Sequence, residues 1–338
     1  MSKIHLINAN IHRAKEGARV LEDIARFLLR DSTLFHQIRE IRHRIQSRSP
    51  IYDTKEDLGG MQLTENNVRT NLLNITQANA LRIQEALRVL EEMTETLAEK
   101  QGMKELRYQA YDVHSKLYYS VQKYLKWNLL EGLYLIIDTD IISYSIEKII
   151  EIINESSVYI VQYRNKLTSK KMFIEQAYQI KKQLYPNKLF IINDHIDIAL
   201  DFADGIHLGQ NDYPLERIRH IIPDNFILGI SCHSLNEAQI TMQYDASYIA
   251  IGALFKTKSK KDALSVSINE LQQICNQISI PICAIGGINT HNLDQVLNAN
   301  IKMAALISSV WETNNPLQTI NDMHEKIIKH SAFNITVN

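Results

Sequence analysis

The sequence predicts a (β/α)₈ barrel, a TIM barrel, preceded by an all-α helical bundle. Three observations lead there. Eight short β runs alternate with helical patterns across about 200 residues of the C-terminal region. The first 128 residues carry helical periodicity and no β runs. Among those 128 residues a stretch occurs twice, ANIHRAKEGARVLE at 9–22 and ANALRIQEALRVLE at 78–91. The expected division is an all-α domain over 1–128, a barrel over 131–331 and a tail over 332–338. The chain's 338 residues agree with two domains.

Bulk composition narrows the function classes. Hydrophobic residues make up 45% and charged residues 22%, ordinary for a globular protein. A formal net charge of −1 gives no general drive toward nucleic acid or a membrane surface. The charge is uneven: residues 1–128 hold 20 Lys+Arg against 16 Asp+Glu, and 12 of the 15 arginines. Cys232, Cys275 and Cys283 form no CxxC pair and no even framework, so they read as reduced core residues. Charged residues begin at Lys3 without an apolar leader, and no run reaches the roughly 18 apolar residues of a membrane span. A cytoplasmic protein is expected, with oligomeric state open and a homo-oligomer among the options.

In the N-terminal region, the two copies match at Ala9/Ala78, Asn10/Asn79, Arg13/Arg82, Glu16/Glu85 and the Arg-Val-Leu-Glu runs 19–22 and 88–91. Two copies make a duplicated helical hairpin, too few for a solenoid. A further helix is expected over 34–45, then a polar stretch over 47–67 with a turn at Gly59-Gly60. A last helix runs over 104–127, where Leu106, Ala110, Val113, Leu117, Val121 and Leu125 share one face. The sum is a bundle of four or five helices. The arginines have two readings. They pair with glutamates three residues away on the helix surface, or Asn10, Arg13, Arg19, Asn79, Arg82 and Arg88 converge about a pseudo-twofold axis as an anion site. Interleaved acids argue against RNA.

In the C-terminal region, β runs are expected over 133–138, 159–163, 189–192, 205–208, 226–231, 248–252, 281–285 and 304–307. Helical patterns fall over 145–153, 169–184, 196–202, 235–244, 268–277, 291–297 and 317–328. An open doubly wound sheet is the alternative, but eight near-equal repeats favour closure. In either fold, ligands bind at the carboxyl ends of the strands.

Those ends carry the chemistry. The second strand leads into Gln162-Tyr163-Arg164-Asn165-Lys166, and strand alternation puts Gln162, Arg164 and Lys166 on one side. Two cations on one face ask for an anion; a solvated strand end is the bland alternative. The third strand ends at Asn193-Asp194 and the fourth at Gln210 to Asp212. Two carboxylates on neighbouring loops suit a hard cation such as Mg²⁺. Each also precedes a helical pattern, so both could instead be helix N-caps. The fifth strand ends Ser231-Cys232-His233, a hydroxyl that can bind a phosphate oxygen and an imidazole that could act as base. After the sixth come Lys256, Thr257, Lys258, Ser259, Lys260 and Lys261, a basic loop able to close over a di-anion or simply to stay solvated. The seventh ends at Gly286-Gly287 and the eighth at Ile307-Ser308-Ser309, the usual phosphate site of this fold.

QYRNK at 162–166, IND at 192–194, GIHLGQND at 205–212, LGISCHS at 228–234, TKSK at 257–260, AIGGI at 284–288 and IS at 307–308 together resemble the thiamine phosphate synthase family, over about residues 131–328. Departures are Ala253 and Lys256 after the sixth strand, and Asn300-Ile301-Lys302-Met303 before the eighth. The N-terminal region resembles a small helical family fused ahead of such synthases and proposed as an alternative hydroxymethylpyrimidine phosphate kinase. The resemblance rests on Ala9-Asn10, Arg13, 19–22, Arg42-His43, Asp57-Leu58-Gly59, Arg69, Ala78-Asn79 and 88–92. No GxxxxGK[ST] or GxGxxG loop accompanies it.

The first resemblance implies condensation of hydroxymethylpyrimidine diphosphate with thiazole phosphate, Mg²⁺-assisted and dissociative. It implies Asp194 and Asp212 as metal ligands, with Arg164, Lys166, Lys260 and Ser231 serving the departing diphosphate. Gln162, Tyr163, Asn165, Asn193, Thr257, Lys258, Ser259, Gly287, Ile307 and Ser308 would contact the substrates. Two rivals stand beside it, a thiazole tautomerase using His233 on the same barrel and a non-catalytic sensor of thiamine precursors. For the helical region, a kinase and a scaffold are both expected options.

Overall fold

The computed structural model describes residues 3–45, 71–257 and 265–335, the last four by backbone alone. It falls into two compact units, Met1–Tyr124 and Leu125–Asn338. The polar stretch over 47–67 lies outside the described residues.

In the helical unit, α1 (Lys3–Asp23) passes through a π-helical turn (Ile24–Leu28) into α2 (Ser32–Arg44); α3 (Leu72–Met93) and α4 (Leu97–Trp127) follow. Asp31 and Asn71 start α2 and α3 as N-caps, accepting from Leu34 N at 2.9 Å and Asn74 N at 2.8 Å. The duplicated stretches lie on α1 and α3, which pack against each other. Matched positions bury alike: Ala14 with Ile83, Ala18 with Leu87, Leu21 with Leu90, Asn10 with Asn79 and Glu22 with Glu91. At Gly17 the helices come so close that a Cβ would sit 2.8 Å from the Asn79 carbonyl oxygen. Each buried glutamate is met by an arginine of the next helix. Glu22 pairs with Arg42, and Glu91 with Arg107 at 2.9 Å.

The second unit is a closed barrel of eight parallel strands in sequence order, β8 pairing with β1. The strands are β1 (Gly132–Asp138), β2 (Ile160–Arg164), β3 (Leu189–Asn193), β4 (Gly205–Leu208), β5 (Ile227–Cys232), β6 (Tyr248–Ile251), β7 (Ile282–Ile285) and β8 (Met303–Leu306). Closure excludes the open sheet. The intervening helices are α5 (Ile146–Glu155), α6 (Lys170–Gln183), α7 (Ile196–Phe202), α8 (Leu215–Ile218), α9 (Leu235–Met242), α10 (Ile268–Gln277), α11 (Leu293–Leu297), α12 (Ser308–Trp311) and α13 (Pro316–Ile335). Ser145, Ser169, Ser234 and Ser267 are the N-caps of α5, α6, α9 and α10, each accepting a backbone N–H from the first turn.

Strand alternation sorts the barrel into two apolar layers. Leu133, Leu135, Ile137, Val161, Phe190, Ile192, Ile206 and Leu228 face the helices. Tyr134, Ile136, Ile160, Ile191, Ile227, Tyr248, Ala250, Met303 and Ala305 fill the interior. The interior is therefore a packed core that supports the rim above it, not a pore.

Candidate active site

The interior phase of each strand, continued to its carboxyl end, decides which side chains reach the rim. On β1 it runs Tyr134, Ile136, Asp138; on β2 Ile160, Gln162, Arg164; on β3 it ends at Asn193 and on β5 at Ser231. The upper ends of these rows open on a cavity of about 720 Å³ whose walls include Ile136, Gln162, Arg164, Lys166, Asn193, Asp194, Asp212, Ser231, Thr257, Gly287, Ile307 and Ser308. Sequence-expected residues from seven different loops and strand ends thus meet in one place.

Two of the expected contacts lie elsewhere. Tyr163 is fully buried on the opposite face of β2, against Phe173, with its hydroxyl donating to Gln176. The alternation that brings Gln162 and Arg164 inside turns Tyr163 outward. Asn165 builds the loop instead of lining the cavity. Its Nδ2 donates to Thr139 at 2.6 Å, and its Oδ1 accepts from Leu167 N and Thr168 N at 3.0 Å. Lys258, Ser259 and Lys260 lie outside the described residues, as does most of the expected basic lid.

Arg164 is held from behind by a residue that sequence reasoning passed over. Its guanidinium bonds Asp138, the last residue of β1, which is 1% exposed. Burial raises the Asp138 pKa, against the pull of Arg164. Gln162 donates to the Tyr134 hydroxyl at 2.8 Å. His207, inside on β4, bonds Ser231 Oγ through Nε2 at 2.9 Å, and burial pushes its pKa down to about 4. It is therefore a neutral imidazole at pH 7.

Neither rim aspartate caps a helix. The N-cap of α7 is His195 and that of α8 is Pro214, and neither makes a side-chain cap. Asp212 instead closes its own loop, one carboxylate oxygen accepting from Gly209 N at 2.6 Å. Asp194 sits in the left-handed region at φ 64°, which Asp tolerates better than most residues. It is oriented by its N–H to the His207 carbonyl at 3.0 Å. Lys166 Nζ lies 3.3 Å from Asp194 Oδ2. The Asp194 pKa is raised, first by burial and further by neighbouring Asp212, with Lys166 opposing. Two oxygen ligands that repel one another at a cavity wall fit a small hard cation. Among the described residues no group of three or more His, Cys, Asp or Glu side chains gathers around one point.

The other side of the cavity is built for close backbone approach. Gly286 and Gly287 have φ 102° and 65°. A Cβ on Gly287 would lie 2.5 Å from the Lys256 carbonyl oxygen, so only glycine fits. Ile307 and Ser308 stand beside them at the end of β8. His233 lies at the rim with its ring 3.4 Å from Glu237 and its N–H on the same carboxylate at 2.7 Å, which makes it a tethered loop residue.

In the helical unit the candidate anion residues have partners of their own. Asn10 and Asn79 are buried and donate to Leu6 O and Ile75 O, both at 2.8 Å. Arg19 pairs with Glu22 and Asp23, Arg88 with Glu91 and Glu92, and Arg82 bonds Asn79. Arg13 is exposed. A groove of about 1030 Å³ in this unit is lined by another set, including Glu40, Glu91, Lys100, Lys104, Tyr108 and Asp112.

Comparison with known proteins agrees with this geometry. Residues 133–310 match the thiamine monophosphate synthase family, and residues 5–116 match the ThiD2 family. The chain is 33% identical to a thiamine-phosphate synthase of Prochlorococcus marinus, with 96% of each chain covered. It is 29% identical to one of Nostoc punctiforme, covering 92% of this chain and 90% of the other. Thiamine phosphate pyrophosphorylase from Pyrococcus furiosus superposes with a TM-score of 0.55 at 29% identity, covering 60% of this chain and 98% of that one. A barrel with an acidic and basic rim at its strand ends, behind a duplicated helical unit, belongs to the thiamine monophosphate synthase family.

Proposed function

We propose that the barrel joins hydroxymethylpyrimidine diphosphate to thiazole phosphate, giving thiamine phosphate and diphosphate. The observation that carries this reading is the convergence of two carboxylates, Asp194 and Asp212, with two cations, Arg164 and Lys166, on one cavity wall. As the pyrimidine C–O bond breaks, charge builds on the departing diphosphate, and the aminopyrimidine can carry the opposite charge. Catalysis is then mostly electrostatic stabilisation of the leaving anion. Mg²⁺ bound to Asp194 and Asp212 would supply Lewis-acid neutralisation of that charge. Arg164, aimed by Asp138, and Lys166 bind the diphosphate oxygens, with Lys260 as a third cation from the loop after β6. Ser231, Asn193, Thr257 and Ser259 donate hydrogen bonds to it. Gln162 orients the pyrimidine. Gly287, Ile307 and Ser308 offer donors to the thiazole phosphate, holding its nitrogen toward the reacting carbon. The thiazole nitrogen is a free nucleophile, so no general base is required, in keeping with a neutral His207 and a tethered His233. A cytoplasmic enzyme acting on free small molecules completes the reading. Among the described residues no helix is long and apolar enough to cross a membrane.

The test is to incubate the full chain with both precursors and Mg²⁺ and to identify products by mass spectrometry. Thiamine phosphate and diphosphate in equal amounts are expected. Binding without turnover would point to a sensor. Metal-independent isomerisation of a thiazole would point to a tautomerase. For the helical unit, the ThiD2 match supports the kinase reading. ATP-dependent conversion of hydroxymethylpyrimidine phosphate to the diphosphate by the full chain is its expected signature.

A further inference from the structure

Beneath the rim, a file of buried polar groups crosses the barrel interior. Gln162 Nε2 donates to the Tyr134 hydroxyl at 2.8 Å. Tyr134 and Tyr248 share a hydrogen bond at 2.7 Å, Tyr248 meets His207 Nδ1 at 2.9 Å, and His207 Nε2 meets Ser231 Oγ at 2.9 Å. Gln162, Tyr134 and Tyr248 are no more than 2% exposed and His207 is 8% exposed. Room for the file is built in. A Cβ on Gly229 would lie 2.1 Å from Tyr248 Cζ, so the missing side chain there is what admits the ring.

The file has a direction. The Gln162 amide nitrogen can only donate, so the Tyr134 oxygen accepts from it. Tyr134 has one proton left to give, and Tyr248 is the partner beside it. Tyr248 then gives its own proton to His207 Nδ1. A neutral imidazole that accepts at Nδ1 donates at Nε2, so Ser231 Oγ accepts. In the reverse direction, Tyr134 accepts from both Gln162 and Tyr248. Its own buried proton is then left without an acceptor, a cost the forward direction avoids. We propose that Tyr248 is a positioning residue, with Tyr134 completing its hydrogen bonds: through the Nε2–H tautomer of His207 it leaves the Ser231 hydroxyl proton free to be donated to an anionic phosphate oxygen in the cavity. This rests on the synthase reading for the identity of that anion, the departing diphosphate, but not for the tautomer.

The experiment has two arms on the full chain. The first is ¹⁵N-histidine NMR of the free protein, which reads the tautomer whether or not the chain turns over. His207, identified by its loss in His207→Asn, is expected as the Nε2–H form in the wild type. It is expected to lose that preference in Tyr248→Phe, and Tyr134→Phe is expected to retain it. An Nδ1–H form in the wild type, or a tautomer unmoved by Tyr248→Phe, overturns the proposal. The second arm is steady-state kinetics. Losing one aimed donor to developing negative charge is expected to lower kcat about tenfold or more in Tyr248→Phe, with KM for both substrates within about twofold. The double variant Tyr248→Phe/Ser231→Ala should be no slower than Ser231→Ala alone, because Tyr248 acts through Ser231. Additive losses overturn the proposal. A wild type without turnover sinks the synthase reading and leaves the NMR arm to decide the relay.

Discussion

Asp138→Asn separates the two jobs that the buried pair with Arg164 could do: holding the barrel together and aiming the guanidinium. Opposite charges about 3 Å apart at an effective dielectric of about 20 attract by about 5 kcal/mol. Taking a carboxylate out of water costs several kcal/mol, and Asp138 is 1% exposed. At this residue burial wins, since it raises the carboxyl pKa against the pull of Arg164. The amide keeps an acceptor oxygen and sheds the buried charge. The Arg164 side chain, 19% exposed, keeps contact with water. Stability at pH 7 is therefore expected to change by no more than about 1 kcal/mol, or about 2–4 °C in Tm for a domain of this size. The pH dependence has a definite sign. A carboxyl whose folded pKa is raised binds its proton more tightly in the native state. Its contribution to stability then falls as pH rises from the ordinary carboxylate value through the raised one. Asn removes that fall, so the variant gains on the wild type as pH rises through this window. Activity should behave differently. A guanidinium bond to a neutral amide oxygen is weaker than one to a carboxylate, by about 1 kcal/mol. Arg164 then loses its aim, and kcat is expected to drop about tenfold. Thermal denaturation from pH 4 to 8 and diphosphate release at saturating substrates measure both. A large loss of Tm with unchanged kcat would refute the positioning argument.

Three further perturbations follow from the same geometry. Asp194→Asn keeps a residue that accepts φ 64° and removes one ligand. The stabilisation expected from Mg²⁺ in the wild type, about 2.7 kcal/mol at 100 times Kd and read as a rise in Tm, should vanish, and a full rise in the variant would exclude Asp194 as ligand. Gly287→Ala places a Cβ 2.5 Å from the Lys256 carbonyl oxygen. The loop must shift, and KM for thiazole phosphate should rise about tenfold or more; unchanged KM would remove this loop from the phosphate site. Glu91→Ala leaves Arg107, 12% exposed, without its carboxylate. About 3 kcal/mol of stability should be lost from the helical unit in urea titrations followed by circular dichroism, and a loss under about 1 kcal/mol would show the buried pair to be dispensable.

How much of this was readable from the sequence varies with the kind of residue. The eight strands stand out as apolar runs between polar breaks, and their structural bounds agree within about two residues, the usual uncertainty of element ends. The rim residues were also legible, because motifs in order on successive strands must end at the same face. Asp138 was not. An aspartate that ends an apolar run reads as a strand stop, and its pairing with Arg164 depends on β1 and β2 being neighbours in register. Tyr134, Tyr248 and His207 sit within strand runs, where a single aromatic or histidine reads as core. Only the closed barrel turns them toward one another. Tyr163 is the opposite case. Membership in the QYRNK motif suggested substrate contact, but the alternation used for Gln162 and Arg164 already turns it outward. Likewise the matched Asn10 and Asn79 marked a duplication, and their burial at the α1–α3 contact explains the match by packing.

The central claim is that Asp194 and Asp212 hold the cation that lets diphosphate leave. The most direct measurement is diphosphate release from hydroxymethylpyrimidine diphosphate and thiazole phosphate as Mg²⁺ is titrated, for the wild type and Asp212→Ala. Saturable dependence on Mg²⁺ in the wild type and its loss in the variant are predicted. An Asp212→Ala variant that turns over at the wild-type rate with the same Mg²⁺ dependence would contradict the account.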